Sequence, residues 1–231
     1  QYKNIARCHN AEVGHHGVEM TVRLLRELGF DWQYMRGHVK RFIRDCDCCQ
    51  KNSLRDFDVG CSRYTTGGKW PFETVSFDHI GPLQEDPDGY KFALVIIDRF
   101  TRFVGIYPVK DDKAETTAAA LIQHFAHYET PTRIISDRGA GFAGDVIKEV
   151  MKLLDTKHDF SMPDSHEENS IVERANGKIV KWMQQLIYDR VKGDKSMWVS
   201  MLPYAMRIHN ATPIKTLGCS PARLLFGTSI D

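Results

Sequence analysis

ETVSFDHIGPLQEDPDGYKFALVIIDRFTRFVGIYPVK, residues 73–110, holds three strand-like runs in succession. ETVSFDHI (73–80), YKFALVIID (90–98) and FVGIYPVK (103–110) are rich in β-branched and aromatic residues, and polar turns bearing Gly and Pro divide them. Downstream the period changes. ETTAAALIQHFAHY puts Ala118, Leu121, Ile122 and Phe125 on one helical face. RIIS (133–136) is a short strand, and GDVIKEVMKLL a helix turning Val146, Ile147, Val150 and Leu154 inward. KHDFSM reads as another strand, ENSIVERANGKIVKWMQQLIYDR as a long helix, and a helix centred on Trp198 comes last. Strands in a row, then helices alternating with strands, predict an α/β domain built on a mixed five-stranded sheet.

Upstream lies a different composition. NSLRDFDVGCSRYTTGGKW is polar, glycine-bearing and without clear period, so we read a linker over 53–70. Before it, residues 1–52 form a small unit in which VEMTVRLLREL (18–28) and VKRFIRDC (39–46) read as helices; Val39, Phe42, Ile43 and Cys46 fall at i, i+3, i+4 and i+7. After it, residues 71–231 hold the α/β domain and its closing helices.

With 42% hydrophobic and 26% charged residues, the 231-residue chain has the composition of a globular protein rather than a disordered tail. No apolar run approaches the roughly 20 residues that span a bilayer, so no membrane partner is expected. A net charge of +1 gives no bulk support for a nucleic-acid partner, and any such case rests on local patches. Three of the six cysteines crowd into CDCC (46–49), which is metal spacing rather than disulfide spacing and points to a reducing, intracellular compartment. Beginning without Met and ending at LLFGTSID, the chain is expected to be a piece of a longer protein.

His9, five residues, His15, thirty residues, Cys46, two residues and Cys49 supply the two imidazoles and two thiolates that tetrahedral Zn²⁺ favours. A metal clip suits a unit with too little core to fold alone. On a helix Cys46 and Cys49 face the same way, whereas Cys48 is rotated by about 200° from Cys46. Spacing does not separate His15 from His16.

A second constellation is acidic. Asp78 sits inside ETVSFDHI, Asp137 ends RIIS, and Glu173 lies early in the long helix, with thirty-five residues between it and Asp137. Converging carboxylates repel unless a cation neutralises them, and hard oxygen ligands suit Mg²⁺. Asp98, at another strand end, competes for the role. On the long helix Val172, Ala175, Ile179, Met183 and Leu186 form the apolar face, while Glu173, Lys181 and Gln184 project elsewhere with Arg174 nearby. A carboxylate for metal beside Lys and Arg for phosphate is what a DNA-cutting face requires.

Taken in order, these motifs resemble the integrases of retroviruses and long-terminal-repeat retrotransposons, most closely those of gypsy-type elements. GHHG (14–17) is similar to the family's GHxG and selects His15; CDCCQ is similar to its CxxCQ and selects Cys46 and Cys49. WPFETVSFDHIGPL carries Asp78, IISDRGAGF Asp137 and HEENSIVERAN Glu173, while VIIDRFTRFV places Asp98 at a non-catalytic position. MWVSMLPYAMRIHNATP and CSPARLLFG resemble the closing helices. Ser170 stands where many relatives have Gly, and HEEN where many have HPQ.

The resemblance implies an RNase H-like core behind a zinc module, and a DNA polynucleotidyl transferase with endonuclease activity. Water would trim the 3′ ends of the element's DNA, and the freed hydroxyls would attack phosphodiesters of target DNA. Asp78 would bridge two Mg²⁺ (or Mn²⁺) ions, with Asp137 on one and Glu173 on the other. Lys178 and Lys181, with Arg174, would contact phosphates. The implied partners are double-stranded DNA and further copies of the chain, and the implied setting is the nucleus or a virus-like particle. Two alternatives remain: an integrase-derived protein that only binds DNA, and an RNase H-type nuclease.

Overall fold

The computed structural model describes residues 1–51, 68–137, 139, 142, 144–160 and 166–227. Residues 53–67 of the expected linker, with Cys61, lie outside the described residues, as do the side chains of HEEN and Ser170.

Four helices come first: α1 (Tyr2–Cys8), α2 (Val18–Glu27), α3 (Met35–Arg44) and α4 (Asp47–Lys51). They enclose a small core of Ile5, Cys8, Val22, Leu25, Met35 and Val39, with Phe42 and Ile43 partly buried against it. The helix expected to run through Cys46 stops at Arg44, and Cys46 instead opens α4, its carbonyl accepting from Gln50 N–H at 3.0 Å.

The sheet that follows has the order β3-β2-β1-β4-β5. Strands β1 (Thr74–Ile80), β2 (Phe92–Asp98) and β3 (Val104–Val109) pair antiparallel, joined by direct connections that need no crossover helix. Strands β4 (Arg133–Ser136) and β5 (Lys157–Phe160) run parallel to β1 and are reached through α5 (Ala114–His127) and α6 (Asp145–Leu153). The long helix α7 (His166–Arg190), a 3-10 turn (Lys195–Met197), α8 (Trp198–Ala211) and α9 (Pro221–Phe226) complete the chain. Trp198 begins α8 rather than centring it, and its indole N–H donates to Gln84 O at 2.8 Å.

Helices cover both faces of the sheet, which is why β2 reads as an unbroken apolar run. Ala93, Val95 and Ile97 pack under α7 and α8, whereas Leu94 and Ile96 join Val75 and Phe77 beneath α5 and α6. Alternation then decides where the site forms. With Val75 and Phe77 on the α5 side and Ile80 on the α7 side, Asp78 faces α7. Val172, Ala175, Ile179, Met183 and Leu186 are all buried, as the helical period predicts.

Two predicted faces are corrected. Ile122 is 48% exposed, because α5 buries Thr117, Ala118, Leu121, His124 and Phe125 instead. Val146 is exposed as well; the inward stripe of α6 starts one residue later, at Ile147, and runs through Val150 and Met151 to Leu154. Adjacent residues differ by about 100° around a helix, so a modest rotation of the helix about its axis decides which of the residues at the edge of the apolar face are buried.

Gly14 shows how closely the two parts meet. Its φ is +99°, and a Cβ there would lie 2.6 Å from Ile208 Cγ2 and 3.0 Å from Trp182 Nε1. Trp182 Nε1 also donates to Gly14 O at 3.1 Å. Gly14→Ala therefore adds backbone strain to overpacking and should cost about 2–4 kcal/mol in urea unfolding. A change under about 0.5 kcal/mol, the size expected of an unconstrained surface site, would show that this contact is not needed.

Candidate active site and metal centre

The sequence places His9 at the end of α1, His15 just after Gly14, and Cys46 and Cys49 at the start of α4. Folding brings all four together. His9 Nε2 lies 3.3 Å from His15 Nδ1 and 3.3 Å from Cys49 Sγ, while His15 Nδ1 lies 3.5 Å from Cys46 Sγ and 3.7 Å from Cys49 Sγ. A tetrahedron with metal–nitrogen bonds of about 2.0–2.1 Å and metal–sulfur bonds of about 2.3 Å has edges of roughly 3.3–3.8 Å. The donor set therefore fits zinc in both chemistry and spacing.

Each imidazole is held from behind. His9 Nδ1 meets the His16 carbonyl at 2.9 Å, leaving Nε2 for a metal, and His15 Nε2 meets Asp189 at 3.0 Å, leaving Nδ1. Burial, and the neighbouring His15, push His9 down to about 4, so it is neutral at physiological pH. Burial, reinforced by Cys46, pushes the Cys49 thiol up to about 12. His16, which spacing could not separate from His15, turns away, its Nε2 3.4 Å from Thr212 Oγ1. Cys48 is buried beside His15 and Asp189 and is not one of the four.

The acids converge at the other end of α7. In the parallel pair of β1 and β4, Ser76 registers with Ile135, so two further residues along each chain bring Asp78 level with Asp137. Glu173 is presented by α7, the helix covering the face to which Asp78 points. Asp78 is pushed up to about 6, chiefly by burial and further by Asp137 and Glu173. Its Oδ1 accepts from His79 N–H and its Oδ2 from the Asn176 side chain, each at 2.8 Å. Asp137 is exposed, and its Oδ1 accepts from Gly139 N–H at 2.8 Å. Glu173 is exposed.

Among the described residues no Lys or Arg forms an ion pair with any of these three. Their oxygens stand further apart than the His/Cys ligand atoms, which all lie within 4.8 Å of one another. Three hard-oxygen donors with mutually unfavourable charge and solvent access fit a divalent cation.

Asp98 has other work. It is 1% exposed and accepts from Phe72 N–H, Thr101 N–H and the Thr101 hydroxyl at 3.0, 2.9 and 2.5 Å, which ties down the turn after β2. His79 faces away from Asp78 and stacks on Phe142 at 4.8 Å.

Asn176 was not singled out from the sequence. It lies three residues beyond Glu173 in VERAN, on the same helical face, and that spacing was the available signal.

Of the basic residues, Arg174, Lys178 and Lys181 fall at i, i+4 and i+7 of α7 and line one side of it. Lys181 lies close enough to the Cys49 thiol to lower its pKa, and Lys178 does the same to His16 and His209. The Lys178 ammonium is itself held below its usual range by burial and by Arg174.

His16 also lines a cleft of about 800 Å³ between the amino-terminal helices and α8 and α9. Arg7, Arg207 and Arg223 border that cleft, exposed and without an ion pair among the described residues. No single segment of the sequence contains this cluster.

A family model described as an integrase zinc binding domain matches residues 1–55, and one described as an integrase core domain matches residues 61–166. The Pro-Pol polyprotein of feline foamy virus is 26% identical over 98% of this chain. The gypsy retrotransposon integrase-like protein 1 of Bos taurus is 28% identical over 67% of it. The chain spans 19% of the first relative's length and 31% of the second's.

Two solved structures share the fold. The HTLV-2 integrase catalytic core domain in complex with magnesium, in a trimeric form, covers 68% of this chain and 99% of its own at a TM-score of 0.57 and 19% identity. A simian T-cell lymphotropic virus intasome in complex with PP2A regulatory subunit B56 gamma covers 90% of this chain and 75% of its own at a TM-score of 0.61 and 16% identity. No helix among the described residues is long and apolar enough to cross a membrane. With a zinc-binding domain followed by a core domain of mixed five-stranded sheet, the chain belongs to the integrases of retroviruses and retrotransposons.

Proposed function

We propose that this chain processes and joins DNA ends, with Asp78, Asp137 and Glu173 as the metal-holding acids. It is a zinc-stabilised module, residues 1–52, joined through 53–70 to a catalytic core. The observation that carries the reading is the meeting of three carboxylates from three elements, on the face of β1 that α7 covers, where burial and the charges of Asp137 and Glu173 raise the pKa of Asp78. Mg²⁺ ions among them would neutralise charge at a phosphodiester and ready a hydroxyl or water for attack.

The chain's own residues prepare that place. Asn176 and the His79 N–H hold the two oxygens of Asp78, and the Gly139 N–H holds Asp137, so two of the acids are oriented before DNA arrives. First water, then the trimmed 3′-hydroxyl, would attack in line, which needs positioning more than covalent chemistry. In the amino-terminal module His9, His15, Cys46 and Cys49 hold zinc. Joining two ends to one target needs more than one such centre, hence an oligomer on DNA. Of the two solved relatives, one is a trimeric form with magnesium and the other an intasome, which supports such an assembly. Its expected setting, as the family resemblance implies, is the nucleus or a virus-like particle.

The test is strand transfer. Purified protein, incubated with Mg²⁺ and labelled element-end DNA, should trim and join, and Asp137→Asn should do neither. DNA binding without joining by the wild type would overturn the catalytic reading, and preferential cleavage of RNA–DNA hybrid would replace it.

Arg174, Lys178 and Lys181, continued past His16 by Arg7, Arg207 and Arg223, form the basic track proposed to carry the DNA backbone. Each arginine lost from phosphate contact should weaken binding across all sequences and lower the salt-dependence slope by about 0.9. Arg207→Gln and Arg223→Gln, titrated by fluorescence anisotropy from 50 to 200 mM salt, check this. An unchanged slope would take DNA out of the cleft.

A further inference from the structure

His15 makes a contact that the zinc set alone does not require. Its Nδ1 faces the other three ligand atoms, while its Nε2 lies 3.0 Å from Oδ2 of Asp189, at the far end of α7. The two residues are separated by 174 positions in the chain. A carboxylate can only accept, so the proton of a neutral His15 sits on Nε2 and the lone pair on Nδ1. This is the tautomer a metal at Nδ1 needs.

His9 obtains the same help locally, from the carbonyl of His16. His15 obtains it from the core. Around this contact the module is fastened to α7 twice more, by Trp182 Nε1 to Gly14 O and by the Arg190–Glu12 ion pair. Glu173 stands sixteen residues before Asp189 on the same helix, about 24 Å along it.

We propose that Asp189 is a positioning residue for zinc: by orienting His15 from the core, it links metal occupancy of the module to its docking on the helix that bears Glu173. The inference rests on His9, His15, Cys46 and Cys49 holding zinc, and is independent of whether the acids cut DNA. By reciprocity, whatever weakens docking at Asp189 weakens zinc, and loss of zinc loosens docking.

The test measures metal directly. In the full chain, Co²⁺ and Zn²⁺ affinities are read by chelator competition, with the visible absorption of bound Co²⁺ reporting ligand geometry. Asp189→Ala should bind about 10- to 100-fold more weakly, the usual cost of losing a carboxylate behind a ligating histidine. Asp189→Asn, whose amide oxygen still accepts from Nε2–H without a charge, should fall between it and wild type. Glu12→Gln, which weakens the neighbouring ion pair but keeps the His15 contact, should leave the spectrum unchanged and lose far less affinity than Asp189→Ala.

Wild-type affinity in Asp189→Ala, or an equal loss in Glu12→Gln, would overturn the proposal. If Asp189→Ala does not fold, Asp189→Asn decides: weaker than Glu12→Gln supports it, equal to wild type overturns it. Cys49→Ser is the separate control. If it binds as tightly as wild type, the zinc assignment itself fails, whatever Asp189 does.

Discussion

Asp78→Asn should abolish DNA joining by at least about a thousand-fold, a loss of about 4 kcal/mol in transition-state stabilisation, and yet make the metal-free protein more stable. The two effects share a cause. Burial and the two neighbouring acids lift the Asp78 pKa to about 6, from 3.8 in the unfolded chain. Between those values the folded protein binds more protons than the unfolded one, so stability falls as pH rises through that window. Above it the full penalty persists, on the order of 3 kcal/mol for a shift of about two pKa units.

An amide at this position carries no charge and removes the penalty. It can still accept from His79 N–H, and it can donate to Asn176, whose Oδ1 is buried without a partner. Urea unfolding in chelator at pH 4 and pH 8 measures the difference. The variant should gain on wild type as pH rises. A constant difference across that range would show that Asp78 carries no such burden, and persistent joining would remove it from the site.

Stripping zinc from the protein, or replacing Cys49 by Ser, should melt α1 to α4 while leaving the sheet folded. The core cluster of that module, Ile5, Cys8, Val22, Leu25, Met35 and Val39, is too small to offset the chain entropy of some fifty residues. Structural zinc contributes roughly 10–16 kcal/mol in comparable small modules, more than enough to decide their folding. Hydrogen exchange should show the amides of α1 to α3 losing protection on chelation while those of β1 to β3 keep theirs; retained protection in α2 and α3 would contradict the metal's structural role.

Affinity should also rise with pH. The Cys49 thiol, held up near 12 without metal, must give up its proton to become a ligand, whereas His9, held near 4, is already neutral.

Much of this was legible in one dimension. The strands, the long helix and its apolar stripe come from local period, which neighbouring residues set among themselves. The four candidate zinc ligands and the three acids could be named because spacing narrowed the choice and the resemblance to integrases completed it, selecting His15 over His16 and setting Asp98 aside. GHHG needed a glycine, and the +99° φ of Gly14 and its contact with Ile208 explain that requirement.

Other features had no local signature. Ile122 is more apolar than the Thr117 and His124 buried in its place, and Val146 is as apolar as its buried neighbours; only the way α5 and α6 lie on the sheet decides which is buried. Asp98 and Asp78 both belong to strands rich in apolar residues. The hydrogen bonds that saturate one and the α7 face that receives the other depend on strand register.

The sequence by itself determined the strands and helices, the two sets of candidate metal-binding residues and the family resemblance, since these depend on residue type, order and spacing. Only the tertiary structure decided that Asn176 orients Asp78, that Asp189 stands behind His15, and that Arg7, Arg207 and Arg223 share a cleft. Each of these joins residues whose closeness is created by register and packing between elements, and no spacing along the chain encodes it.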